Sequence, residues 1–356
     1  MQAGCVAATG VLLTCAALFS SLQGWTAAVL LTHSKVVQAA LLGLPLLGLV
    51  RLVASDFSPC RRRRYPSAEG KLFVVTGVAP GGIGYETAAG LLEHGAAVVV
   101  ATRDAQAGAR AAEELGRRYP RGEVSFLLLD LADFGSIRRF CELLRLRHPG
   151  RLDGLVCNAG SMMCPYSATA QGLETQCGVN HVGHCFLIHN MAAELAAGKA
   201  RVVFVSSVAH AFFSKSAPTA EWVLDLHPLP SEYTPRLAYG KSKLANVLAA
   251  CEYQRQMMRT GNLVVSLHPG EVSTELYRHL PRLLWMLAKP LTFLFMQTPV
   301  QGARTSLHCA LSSASALSPG AFYMSCNPVL PSSAGSDHRL ARDLMSLTNQ
   351  LFESYE

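Results

Sequence analysis

Seven short apolar runs punctuate the chain from residue 70 onward: KLFVVTG (71–77), AAVVVATR (96–103), VSFLLLD (124–130), DGLVCNAG (153–160), RVVFVSS (201–207), LVVSLHPG (263–270) and GAFYMS (320–325). They are continuously hydrophobic rather than alternating, and turn residues bound them, so the pattern predicts buried strands. Between them the spacing becomes helical, as in AQAGARAAEELGRRY and FGSIRRFCELLRLRH. Strands apolar on both faces and joined by helices form a parallel sheet covered on both sides. The expected fold is therefore α/β and doubly wound, with about seven strands and a ligand at their carboxyl ends.

The first fifty residues read differently. No charged side chain occurs from Gln2 to Thr32, and a second apolar run, VVQAALLGLPLLGLVRLVA, extends from Val36 to Ala54. A membrane span needs about 20 mostly apolar residues, so either run is long enough. A cleaved signal peptide starts with a basic region, whereas here Lys35 is the first Lys or Arg. The pattern predicts N-terminal membrane helices, either one span or a hairpin of two, with Gly43 and Pro45 also suiting a bent hairpin within one leaflet. The basic stretch CRRRRYP (60–66) then keeps everything after it on the cytosolic side.

With 356 residues, half of them apolar, the chain has ample material for one large domain beside the anchor. Its eleven cysteines are scattered with no CxxC pair, which argues against a zinc site or a disulfide framework and suits reduced thiols. A net charge of +7, four of it in the Arg run, gives no nucleic-acid signature.

Two stretches carry chemistry. VVTGVAPGGIGYETA (74–88) is a Gly-rich turn from a strand into a helix, where backbone N–H groups and the helix dipole can stabilise a pyrophosphate. YGKSK (239–243) sets Tyr239 and Lys243 one helical turn apart on one face. An ammonium beside a phenol is expected to lower the Tyr pKa from about 10 and allow proton exchange near neutral pH.

Together with CNAG (157–160), VNHVGH (179–184), VSSVAH (205–210) and HPGEVST (268–274), these motifs resemble the short-chain dehydrogenase/reductase family over roughly residues 70 to 330. Within it, GLETQCGVNHVGHCFL, SKLANVL and GARTSLHCAL look most like the membrane-associated retinol dehydrogenases and the oxidoreductase domain of the WW-domain-containing oxidoreductase. The resemblance implies a Rossmann-type sheet and a nicotinamide cofactor. It divides the chain into a membrane-anchoring segment (1–56), a basic linker (57–69), a catalytic domain (70–330) with a substrate lid at 271–300, and a C-terminal tail helix (331–356).

Carried over residue by residue, Tyr239 is the acid/base and Ser207 bonds the reacting oxygen. Lys243 holds the ribose and lowers the Tyr pKa, and Asn180 holds a water that relays the proton. Gly77, Gly82, Ile83, Gly84, Arg103, Asp130, Asn158, Tyr239, Lys243, Pro269 and Thr274 are the expected cofactor contacts. The family loop, TG-x-x-x-G-x-G, is one residue longer here, and the extra residue is expected to bulge near Pro80 and Gly81, where glycine tolerates positive φ. At the tip of the second strand Arg103 favours NADP(H), with Asp104 one step on leaving NAD(H) as the alternative. His181, His184 and His189 are spaced like ligands, but the resemblance assigns them to packing, so no metal is expected. Apolar residues of the lid stretch, such as Trp285 and Phe293, would line a greasy pocket touching the membrane.

The functional expectation is a membrane-anchored oxidoreductase on an apolar alcohol or carbonyl, retinol and retinal first. It would sit in the endoplasmic reticulum membrane facing the cytosol, with lipid droplets as a second location and a homodimer as the assembly considered. The alternatives are a steroid, polyprenol or lipid-aldehyde reductase, or a cofactor-binding scaffold without significant turnover.

Overall fold

The computed structural model describes residues 64–212, 217–272 and 296–355, all of which belong to the compact unit Phe57–Glu356. The anticipated membrane segment, Thr274 and most of the expected lid lie outside the described residues. Among the described residues no helix is long and apolar enough to cross a membrane.

The strands are β1 (Leu72–Thr76), β2 (Ala97–Thr102), β3 (Glu123–Leu128), β4 (Gly154–Cys157), β5 (Arg201–Val205), β6 (Leu263–His268), β7 (Phe322–Met324) and β8 (Asn327–Val329). They form one sheet in the order β3-β2-β1-β4-β5-β6-β7-β8. All neighbours are parallel except β7 and β8. The eighth strand corrects the expectation of about seven. It is a three-residue hairpin arm reached through Ser325 (φ 50°) and Cys326 (φ 61°). Two consecutive left-handed residues suit a tight hairpin, but Ser-Cys lacks the Asn-Gly or Asp-Gly signature that would have revealed it.

Helices α1 (Ile83–Glu93), α2 (Ala105–Arg118) and α3 (Phe134–Arg147) follow the first three strands. Helix α4 runs over 175–190 and contains a π turn at Gly178–Val182, where Gly183 N–H reaches the Gly178 carbonyl. Then come α5 (Ala192–Gly198), α6 (Ala220–Leu224), α7 (Pro235–Met257), α8 (Pro299–Leu311) and α9 (His338–Glu353). One apolar layer joins α3, α4, α7 and α9 through residues such as Ile137, Phe186, Leu248 and Phe352. The other joins α1, α2 and α8 through Leu91, Leu115 and Cys309. Each fully buried Leu or Phe is worth roughly 1.5–3 kcal/mol, so these layers hold the strand ends rigidly.

Cys141, Cys157, Cys177, Cys185 and Cys309 are buried thiols. Cys326, by contrast, is disulfide-bonded, against the expectation of reduced cysteines throughout. Sequence spacing reveals local pairs only, and gave no sign of it.

Candidate active site

The sheet reverses direction of growth between β1 and β4, and a cleft of about 290 Å³ opens there, at the carboxyl ends of the strands. It runs from Gly77, Gly82 and Ile83 past Arg103 and Asp130 to Asn158, Tyr239, Lys243 and Pro269.

The long glycine loop has a simple geometry. Gly82 N–H donates to the Ala79 carbonyl (3.0 Å), Pro80 precedes Gly81, and Gly81 has φ +74°. Pro then left-handed Gly inside an i to i+3 bond is the signature of a type II turn, so the extra residue is absorbed there as a bulge. A Cβ on Gly81 would meet nothing within 4 Å. Gly77 and Gly84 are different. Added Cβ atoms would sit 2.6 Å from Ala159 Cα and 2.5 Å from Asn158 Nδ2 respectively. Asn158 Nδ2 donates to the carbonyls of Thr76 (2.8 Å) and Gly77 (3.2 Å), pinning the CNAG turn to the loop. Gly82, the N-cap of helix α1, supplies no side-chain cap, and Gly82 and Ile83 at this helix start line the cleft.

At the tip of β2, Arg103 lines the cleft, whereas Asp104 Oδ1 accepts from Ala107 N–H (2.9 Å) as the cap of α2. Asp130 lies two residues beyond β3, its Oδ1 accepting from Ala132 N–H (2.9 Å).

The catalytic candidates converge at the ends of β5 and α7. Ser207 Oγ accepts from Ala209 N–H (3.2 Å), while Ser206 Oγ donates to the Lys243 carbonyl (2.7 Å) and serves packing. Lys243 Nζ donates to the Val205 carbonyl (2.9 Å) and lies 5.6 Å from the Tyr239 ring centroid. Burial pushes the Tyr239 phenol up to about 12, offset in part by Ser207 and reinforced by Glu271. Burial also pushes Lys243 down to about 8. The expectation that Lys243 lowers the Tyr pKa is thus corrected: desolvation of the phenol dominates, and the ammonium points at a carbonyl.

Asn180 sits in the π turn, fully buried. Its Oδ1 accepts from Ser161 N–H (2.7 Å), and its two amide hydrogens go to the Ser161 carbonyl and to Ser242 Oγ (both 2.9 Å). Both amide hydrogens of Asn180 are thus spent on the protein. Sequence reading missed Ser161, Met162 and Gln176, although they directly follow CNAG or precede VNHVGH.

The histidines are structural neighbours of the site. His184, pushed down to about 4 by burial, is neutral. Its Nδ1 donates to the Asn180 carbonyl (3.0 Å), so Nε2 accepts the Thr76 hydroxyl (2.9 Å). His210 Nδ1 donates to the Ser207 carbonyl (2.7 Å), and its Nε2 accepts Ser332 N–H (3.1 Å). Among the described residues no group of three His, Cys, Asp or Glu could hold a metal.

A family model described as short chain dehydrogenase matches residues 71–218. Human retinol dehydrogenase 12 is 40% identical over 287 residues, covering 79% of this chain and 86% of that protein. The chain belongs to the short-chain dehydrogenase family. Human retinol dehydrogenase 11 is similar to the same extent, 39% over 285 residues with 79% and 86% covered. Among solved structures, the Pseudomonas aeruginosa RhlG/NADP active-site complex matches with a TM-score of 0.56 and 26% identity, covering 73% of this chain and 96% of that one. The family's fold binds NAD(P)(H), and the uncapped helix start and the glycines closing on Asn158 and Ala159 fit a dinucleotide.

Proposed function

We propose that this chain is a membrane-anchored oxidoreductase transferring hydride between NADP(H) and an apolar alcohol/carbonyl pair, with retinol and retinal the first choice. Its anchor would hold the catalytic domain on the cytosolic face of the endoplasmic reticulum. The observation that carries the reading is the convergence of buried Ser207, Tyr239 and Lys243 at the ends of β5 and α7, flanked on the substrate side by the apolar cluster Met162, Met163 and Ala209. Retinol dehydrogenases at about 40% identity support the substrate choice.

Gly77, Gly82, Ile83, Gly84, Asp130, Asn158, Lys243, Pro269 and Thr274 would hold the dinucleotide, which supplies the hydride when bound. Arg103 would pair with a 2′-phosphate. Support comes from Asp104, whose carboxylate oxygen is occupied in capping α2 and so is less suited to a ribose 2′-hydroxyl. A phenol near pKa 12 carries its proton at neutral pH, so Tyr239 can donate it to a carbonyl oxygen while the Ser207 hydroxyl stabilises the charge developing there.

The test is NADPH consumption by microsomes carrying the protein, offered retinal, steroid ketones and long-chain aldehydes. Turnover of retinal above the others supports the reading. Turnover of none, with NADPH still bound, would favour a scaffold.

A further inference from the structure

Beside Tyr239, the wall of the site is built from Met162 and Met163, and Met163 has a left-handed backbone, φ 50°. Methionine gains nothing from that conformation, so something else must hold it. The holder is Gln176, fully buried one turn before Asn180 on α4. Its Oε1 accepts from Met163 N–H (2.8 Å), and its Nε2 donates to Tyr233 Oη (2.7 Å) and to the Pro235 carbonyl (2.9 Å). An N–H on one side and a carbonyl on the other leave the amide a single orientation. The Tyr233 hydroxyl lies 3.0 Å from the Cys164 carbonyl and 3.2 Å from Glu174 Oε1, and Glu174 in turn caps the start of α4.

The loop after CNAG is thus clamped twice from one helix. Asn180 fixes it at Ser161, and Gln176 fixes it at Met163. Pro235, to which Gln176 also donates, opens the helix that carries Tyr239 one turn later. A single side chain therefore ties the apolar wall to the helix of the catalytic phenol. We infer that Gln176, braced by Tyr233, is a positioning residue that sets the apolar wall of Met162 and Met163 against Tyr239 and so governs affinity for the apolar part of the substrate. The inference rests on the oxidoreductase reading above for its substrate, but not for its geometry.

The test uses the full chain in detergent, comparing wild type, Gln176→Met and Tyr233→Phe. Gln176→Met keeps length and bulk but removes every hydrogen bond, and Tyr233→Phe removes only the brace. Hydrogen exchange at the Met163 amide should accelerate in Gln176→Met and less in Tyr233→Phe. The KM for all-trans-retinal should rise about tenfold or more, the scale of a disturbed apolar contact. Both kcat and the NADPH dissociation constant should stay within about twofold, because Ser207, Tyr239, Lys243 and the glycine loop are untouched, a separation that general destabilisation would not produce. Retinol uptake followed by its fluorescence gives the affinity without turnover, so a wild type inactive on every carbonyl refutes the oxidoreductase reading and still leaves the wall testable. A Met163 amide that stays protected, or retinol affinity unchanged in Gln176→Met, overturns the inference. If Gln176→Met fails to fold, Tyr233→Phe decides by the same two measurements.

Discussion

Two alanine substitutions in one glycine loop should have opposite severities. Gly81 is left-handed but has open space around it, so Gly81→Ala costs only the conformational penalty, about 1–2 kcal/mol for an L-residue at positive φ. Gly84 has ordinary helical backbone, yet its new methyl group would lie 2.5 Å from Asn158 Nδ2 and 2.6 Å from the Gly77 carbonyl oxygen. Relief requires Asn158 to give up its bonds to Thr76 and Gly77. Two neutral hydrogen bonds are worth about 0.5–1.5 kcal/mol each and overpacking about 1–3 kcal/mol, so Gly84→Ala should lose about 2–6 kcal/mol. Because Asn158 also fixes the far wall of the cleft, NADPH affinity should fall with stability in Gly84→Ala and be nearly retained in Gly81→Ala. Urea denaturation beside a cofactor fluorescence titration measures both. Equal losses, or a more damaging Gly81→Ala, would refute the assignment of the extra residue to a tolerated turn.

Arg103→Ala should weaken NADPH by about 1.5–3 kcal/mol, the range for hydrogen bonds to charged groups, and leave NADH almost unmoved in parallel titrations. Tyr239→Phe keeps the ring but removes the proton donor, so the turnover number should drop about 10²–10⁴-fold while NADPH still binds. Lys243 offers a test in pH: its folded pKa of about 8 lies below its ordinary value, so between the two the unfolded chain binds more protons and stability rises with pH. The stability of wild type minus that of Lys243→Met should therefore climb by about 3 kcal/mol from pH 8 to 10.5, at about 1.4 kcal/mol per pKa unit, and a flat difference curve would contradict the burial.

The parallel strands were legible because burial on both faces leaves an unbroken apolar run, as in β6, where all six residues are buried. The bulge at Gly81 was legible too, since Pro-Gly has one preferred turn. What escaped reading depends on neighbours distant in sequence. β8 has only three residues, two of them exposed, and owes its place to pairing with β7. The direction of the Tyr239 shift was misread because proximity of Lys243 is visible in sequence, whereas desolvation and an ammonium turned toward Val205 are not. Gln176 looked like any polar helix residue, and only Met163 arriving from another loop gives it a task.

Helix α4 explains why these features belong together. Thr76 Oγ1 has one hydrogen, shared between neutral His184 (2.9 Å) and the Val156 carbonyl (3.3 Å), so the same oxygen is left to accept the N–H groups of Asn158 and Ala159, each at 2.9 Å. The glycine-loop strand, the CNAG turn and α4 therefore share one hydroxyl, and α4 continues through Asn180 and Gln176 to the loop bearing Met163. If His184 were protonated, Nε2 would become a donor and Thr76 could no longer give it its hydrogen. Burial, which holds His184 near pKa 4, keeps that from happening at neutral pH. Cofactor loop and apolar wall are thereby fixed to one rigid element, and the spacing between them is set by the helix rather than by either loop.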